Sequence, residues 1–231
     1  MIMNQIAKDK RLKEMEELFP FVKGFEEEEK KCIMENSLLR SFKKGAIVHE
    51  GKTDCTGVVG ILKGRVKIFM LSPKGKEVTL FRLLPEDTCI LSASCMMNNI
   101  VFDIHVSAEE DSQLLVVNAE YFEGLAKRNS LAEKFRNDII AMRFTEVMWL
   151  VEQVMFKRMD QRIAGFLLDM MNITGTSEVQ LSHQEIADNL GTAREVVSRI
   201  LKYFEKDGII KLSRKTIQVI DLDMINEIAQ D

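Results

Sequence analysis

The chain has 231 residues, with 32 Lys and Arg against 36 Asp and Glu and a formal net charge of −4 at pH 7. That length suits one large or two modest domains, each able to bury a core. The mild acidity, with a pI of 5.6, argues against nucleic-acid binding driven by bulk charge but leaves room for specific binding through a local basic face. No run approaches the roughly 18 apolar residues of a membrane span, and the charged N-terminus MIMNQIAKDKRLKEMEELF lacks a signal-peptide core. A soluble, cytoplasmic protein with no membrane partner is expected.

Residues up to about 40 are polar and predicted helical. From Phe42 to about Val117, short β-prone runs alternate with the turns Lys44-Gly45, Glu50-Gly51-Lys52, Lys63-Gly64, Ser72-Pro73-Lys74-Gly75 and Pro85-Glu86-Asp87. This is the signature of a small antiparallel sandwich or barrel. From about Ser130 to Phe156 there is neither Pro nor Gly, which predicts one helix of roughly 40 Å.

On that helix Phe135, Met142, Trp149 and Phe156 repeat every seven residues, while Ile140, Phe144, Val147, Val151 and Val154 lie on another face. Two apolar faces predict packing on the helix's own β-domain and on a second copy, as a parallel homodimer. Phe135, Met142, Trp149 and Phe156 are assigned to the dimer interface. The domain boundary is placed near Met159-Asp160, giving a sensing domain over 1–158 and a second domain over 159–231. A helix over 161–172 follows, then a loop at Thr174-Gly175-Thr176-Ser177.

The stretch SHQEIADNLGTAREVVSRILKYFEK, residues 182–206, reads as two short helices joined at Gly191. Ser182 with Glu185, and Thr192 with Glu195, match the Ser/Thr-x-x-Glu capping box and mark two helix starts. Ile186, Ala187 and Leu190 form the inner face of the first helix, and Val197, Ile200, Leu201 and Phe204 that of the second. Glu195, Ser198, Arg199 and Lys202 then point outward, with Arg194 at the helix start. A helix-turn-helix lays this N-terminal part in the major groove, where Arg pairs with guanine O6 and N7 and Glu accepts from cytosine N4. Residues 208–220, GIIKLSRKTIQVI, follow as two β-prone runs around a polar turn, the pattern of a wing. Helix pair and wing together make double-stranded DNA the expected partner.

QEIADNLGTAREVVSRILKYFEKDGII resembles, nearly residue for residue, the helix-turn-helix of the Crp-Fnr family of bacterial transcription regulators. Gly51, Lys63-Gly64-x-Val66 and Gly75-Lys76-Glu77 resemble the turns of that family's cyclic-nucleotide-type β-roll, so the resemblance covers almost the whole chain. It implies an α+β fold: an N-terminal antiparallel, jelly-roll-like β-roll, a long dimerisation helix and a C-terminal winged helix-turn-helix. Arg194, Glu195 and Arg199 fall where catabolite-activator-like members read bases; Glu195, Ser198 and Arg199 fall where Fnr-like members do. A half-site of TGTGA or TTGA type is implied, and both remain open. His183 and Gln184 fall where members touch phosphate. RNA polymerase is a further expected partner.

Members that bind cyclic AMP cradle its phosphate with a Gly-Glu and an Arg-Ser pair. The corresponding stretch here, residues 87–103, has no Gly, Glu or Arg, and it ends on Asp103. A buried phosphate needs a cation and backbone donors, so cyclic AMP is not expected as effector. The cysteines, Cys32, Cys55, Cys89 and Cys95, form no CxxC pair. The first 31 residues contain no cysteine for an Fnr-like iron–sulfur cluster, and the Cys-x-His of heme-binding members is missing at Cys89. Cys89 and Cys95 read first as small buried residues. The stretch around them, with Cys89, Ser92, Ser94, Cys95 and His105, is still the expected pocket for a small-molecule or redox effector. No cofactor or metal is assigned.

Two other classes compete. A cupin-like metal enzyme needs converging histidines, but the chain has only His49, His105 and His183, none paired at helix or strand spacing. A non-DNA regulatory module would have no use for the winged helix. No catalytic residue is assigned, and a regulator rather than an enzyme is expected.

Overall fold

The computed structural model describes residues 2–51, 56–90 and 103–230, with side chains from residue 9 onward. Two compact units emerge: Met1–Leu71 with Leu80–Val147, and Ser72–Thr79 with Met148–Asp231.

The chain opens with α1 (Ile2–Leu18), a 3-10 turn (Pro20–Gly24) and α2 (Glu27–Glu35). Eight strands follow: β1 (Ser37–Phe42), β2 (Ile47–Glu50), β3 (Val58–Lys63), β4 (Val66–Leu71), β5 (Glu77–Leu83), β6 (Thr88–Cys89), β7 (His105–Ala108) and β8 (Ser112–Val117). Two helices close this half, α3 (Ala119–Arg128) and α4 (Ser130–Phe156). The strands form two four-stranded antiparallel sheets, ordered β1-β8-β3-β6 and β2-β7-β4-β5.

One strand shows why both faces of the first sheet are apolar. Successive side chains of a strand point to opposite faces. Leu114 and Val116 of β8 enter the core between the sheets, with Ile61, Val66, Ile68 and Leu83. Leu115 and Val117 face a second core shared with Met15, Phe19, Phe21, Phe25, Ile33 and Phe122 of the flanking helices. A strand covered on both sides reads as a continuous apolar run, hence LLVV. Gly60 in β3 serves the same layering, since a Cβ there would sit 2.8 Å from Leu18 Cδ1.

The N-terminal segment departs from expectation in two ways. It is not helical to residue 40, because β1 begins at Ser37 and pairs with β8 from Ser37↔Val117 to Phe42↔Ser112. Nor is its role polar, since Met15, Phe19, Phe21, Val22, Phe25 and Ile33 are buried. The charged residues between them mask this in a composition reading.

Helix α4 spans the predicted range. Phe135, expected in a dimer interface, packs tilted against Phe21 at 5.0 Å and edge-on to Phe19 at 5.8 Å, so it serves its own subunit's core. Met142, Trp149 and Phe156 are exposed at 51%, 53% and 76%, and Phe144 at 65%. Arg143 is buried instead: it donates to both oxygens of Glu146 and, at 2.8 Å, to the Thr88 carbonyl, over the ring of Phe81. In the roll, Glu109 accepts from Arg65 Nε and Arg82 Nε at 2.9 Å each.

The second unit carries α5 (Met159–Thr174), β9 (Glu178–Val179), α6 (His183–Leu190), α7 (Arg194–Lys206), β10 (Ile210–Ser213), β11 (Thr216–Val219) and α8 (Leu222–Gln230). Its sheet runs β10-β11-β9. Ile163, Leu167, Ile186, Val197, Leu201, Ile217 and Ile225 meet in one core. β9 lies just beyond the expected loop and pairs Val179 with Ile217; two residues are too short for a strand to show in periodicity. The helical break between the halves falls at Lys157 and Arg158, whereas the compact units divide at Val147 and Met148. Among the described residues no helix is long and apolar enough to cross a membrane, and no cluster of three or more His, Cys, Asp or Glu is placed to hold a metal ion.

Candidate nucleic-acid interface

The site begins with the helix pair α6 and α7. Ser182 caps α6: its Oγ accepts from the Glu185 N–H at 3.2 Å, and Glu185 Oε2 accepts from the Ser182 N–H at 2.7 Å. This is the predicted capping box. Gly191 ends the helix at φ +63°, a left-handed conformation that glycine adopts without a Cβ clash. Arg162 on α5 donates to the Leu190 carbonyl at 2.9 Å, satisfying one of the helix's terminal acceptors.

The second expected capping box does not form. Ala193, not Thr192, is the N-cap of α7, and no side chain caps it. The Thr192 N–H is committed backwards to the Ala187 carbonyl at 2.9 Å. Closing the first helix thus uses the residue expected to open the second, which frees Glu195 from a capping role.

Helix α7 buries Val197, Leu201 and Phe204. Arg194, Glu195, Arg199 and Lys202 are exposed on its other side, as is Gln184 on α6. Ser198 and His183 are half-buried against each other, with His183 Nδ1 2.8 Å from Ser198 Oγ. Burial, and then the positive charges of Arg194 and Lys202, hold the His183 pKa below its ordinary 6.5. The imidazole is therefore neutral at physiological pH.

The wing is tied to the end of α7. The Ile209 N–H donates to the Phe204 carbonyl at 2.9 Å, and the Leu212 N–H to Glu205 Oε1 at 3.0 Å. β10 and β11 pair from Ile210↔Val219 to Ser213↔Thr216, around a tip where Lys215 takes φ +60°. A cleft of about 390 Å³ opens between the start of α6 and the wing, lined by His183, Gln184, Arg194, Ser213, Lys215 and Thr216. Sequence reasoning assigned no role to Ser213, Lys215 and Thr216. The only signal was the polar turn itself, because register alone fixes which turn residues face α6.

The expected effector residues divide differently. Cys89 is buried in the core between the two sheets. His105 alternates with the inward-facing Val106 and stacks on Phe69 at 5.4 Å, on the other face of its sheet. The described residues do not bring the two together. Ser92, Ser94 and Cys95 lie outside the described residues.

Two domain models match the chain: a cyclic nucleotide-binding domain over residues 39–129 and a Crp-like helix-turn-helix domain over residues 161–228. A solved structure assigned to a Crp/Fnr-family transcriptional regulator from Eubacterium rectale is 39% identical, with a TM-score of 0.89 over 93% of this chain and 99% of that one. The cyclic AMP receptor protein of Thermus thermophilus is 27% identical over 73% of this chain and 77% of its own length. The global nitrogen regulator of Synechococcus elongatus is 26% identical over 79% and 86%. Fold, helix-turn-helix and relatives agree, and they exclude an enzyme: the chain belongs to the Crp/Fnr family of transcription regulators, with a cyclic-nucleotide-binding-type β-roll followed by a DNA-binding winged helix-turn-helix.

Proposed function

We propose that this regulator binds a pseudo-palindromic operator as a homodimer and reads each half-site with α7. The observation that carries the reading is the outward set Arg194, Glu195, Arg199 and Lys202, held on a helix whose opposite side is sealed into the core. Arginine supplies bidentate recognition of guanine, and glutamate accepts from cytosine. His183 and Gln184, beside Lys215 of the wing, stand where backbone phosphate would lie.

Dimerisation runs along α4. Ile140, Phe144, Val147, Val151 and Val154 alternate at four- and three-residue spacing, the spacing of a coiled-coil seam. Met142, Trp149 and Phe156, the residues expected at the interface, repeat every seven residues and lie on the opposite face of α4 from that stripe. A two-fold dimer sets its recognition helices about 34 Å apart.

The effector acts through the β-roll and is not cyclic AMP. The Thermus relative carries that nucleotide in its name, but residues 87–103 here offer neither cation nor glycine and end on an acidic Asp103. Effector capture shifts α4 and the break at Lys157 and Arg158, and so the spacing of the recognition helices. RNA polymerase is the downstream partner, and the cytoplasm the site of action.

Arg194→Ala and Arg199→Ala test the reading. Weakened operator binding with dimerisation intact supports it; unchanged binding removes α7 as the reading element.

A further inference from the structure

One contact in the helix-turn-helix is not accounted for by DNA binding in general. His183 on α6 and Ser198 on α7 are joined at 2.8 Å between Nδ1 and Oγ. Ser198 is half-buried on α7, the helix read above as facing the groove, whereas His183 lines the cleft beside the wing. We propose that His183 is a positioning residue for base recognition: its protonation state decides whether Ser198 offers the DNA groove a lone pair or a proton. The proposal rests on the reading of α7 as the base-reading helix.

The chemistry follows from counting donors. A serine hydroxyl has one proton and two lone pairs, and a neutral imidazole has one donor and one acceptor nitrogen. The more stable neutral tautomer carries its proton on Nε2, which leaves Nδ1 as an acceptor. Ser198 then donates its only proton to His183 and presents lone pairs alone. Such an oxygen pairs with adenine N6–H or cytosine N4–H in the major groove. Protonated His183 reverses the bond: Nδ1–H donates to Ser198 Oγ, and the hydroxyl proton is released. Ser198 can then donate to guanine O6 or N7, or to thymine O4.

The charges around His183 come from each element packed on it. Arg194 and Lys202 approach from α7, and Lys215 lines the same cleft from the wing. Partial burial first, and then Arg194 and Lys202, keep the imidazole neutral in the free protein. A DNA phosphate entering the cleft brings the opposite charge and favours the imidazolium. Proton uptake and phosphate docking are thus coupled at the side chain that is hydrogen-bonded to the Ser198 hydroxyl.

The test uses the full chain and a pool of duplexes with randomised sequence, selected for binding at about pH 8 and at about pH 5.5, either side of the histidine range. Wild-type protein is expected to enrich one palindrome whose base preference changes by about tenfold at a single position per half-site between the two conditions. Ser198→Ala and His183→Ala are each expected to abolish that change, with weaker binding overall. A palindrome whose preferences are the same at both pH values overturns the proposal, as does a pH-dependent change that survives Ser198→Ala. Absence of any enriched palindrome overturns the DNA-reading assignment of α7 itself. A second measurement does not depend on the operator. Long-range nitrogen–proton NMR of the His183 ring at about pH 8 is expected to show an unprotonated Nδ1; a proton on Nδ1 there contradicts the proposal.

Discussion

The Leu212 backbone N–H donates to Glu205 Oε1 at 3.0 Å, and this bond ties the first strand of the wing to the last turns of α7. Wing and helix are therefore held as one surface. Glu205→Ala is expected to cost about 1 kcal/mol of unfolding free energy, the worth of one typical hydrogen bond. It should also weaken DNA binding without changing which bases are preferred. Chemical denaturation and binding titration check this; a changed base preference would mean that Glu205 acts on α7 and not on the wing.

Ser182→Ala removes one half of the capping box, the Oγ that accepts from the Glu185 N–H. Loss of an N-cap costs about 1 kcal/mol. Thermal unfolding should register that loss in the second unit, and Ser182→Asp should restore most of it. A silent Ser182→Ala would show that tertiary packing alone fixes the start of α6.

The pair of Arg143 and Glu146 predicts an asymmetry. Arg143 is 3% exposed, while Glu146 keeps 35% of its side chain in solvent. Glu146→Ala leaves a buried guanidinium without its carboxylate, a loss of about 3 kcal/mol. Arg143→Ala leaves a carboxylate that water can solvate and an unpartnered Thr88 carbonyl, a loss of about 2 kcal/mol. Urea unfolding of the two variants decides the order; equal losses would mean that solvent already reaches the guanidinium.

Two groups make opposite halves of the molecule acid-sensitive. Burial alone would raise Glu109, but Arg82 first, then Arg65 and Lys67, hold its carboxyl below the ordinary 4.5. A depressed carboxyl contributes stability that is complete above the unfolded value and lost as pH falls through the folded one. His183, held below 6.5, likewise binds its proton more readily when unfolded, so its contribution also declines as pH falls below that value. Unfolding free energy measured from neutral pH downward should therefore fall first through His183 and later through Glu109. His183→Gln should flatten the upper part of the curve and Glu109→Gln the lower part. An unaltered curve in either variant contradicts the assignment of that step.

Gly60→Ala should destabilise the roll, because the new methyl meets Leu18 at 2.8 Å. Overpacking of this kind costs about 1–3 kcal/mol. Pairing it with Leu18→Ala should recover part of the loss, and failure to recover any would place the strain in the β3 backbone.

Much of the fold is legible because it rests on local rules. The absence of Pro and Gly delimited α4, Gly191 and the first capping box delimited α6, and the apolar stripe of α7 identified its outer residues. What stayed hidden depends on partners distant in sequence. Phe135 matched a seven-residue repeat, yet its ring is claimed by Phe19 and Phe21 more than a hundred residues upstream. Thr192 matched a capping box, yet its N–H belongs to the preceding helix. Within the candidate interface the exposure of Arg194, Glu195 and Arg199 follows from their spacing. The bond between His183 and Ser198 does not, because it joins two helices through a turn whose geometry sequence spacing does not specify.

The most direct test of the central claim is methylation interference on the selected operator. Arginine binding a guanine edge uses O6 and N7, so methylation of N7 at one guanine in each half-site should block wild-type binding. Arg199→Ala should bind more weakly and lose that sensitivity, while still forming the dimer. Binding that tolerates N7 methylation throughout the operator, or interference unchanged in both Arg194→Ala and Arg199→Ala, would contradict the account.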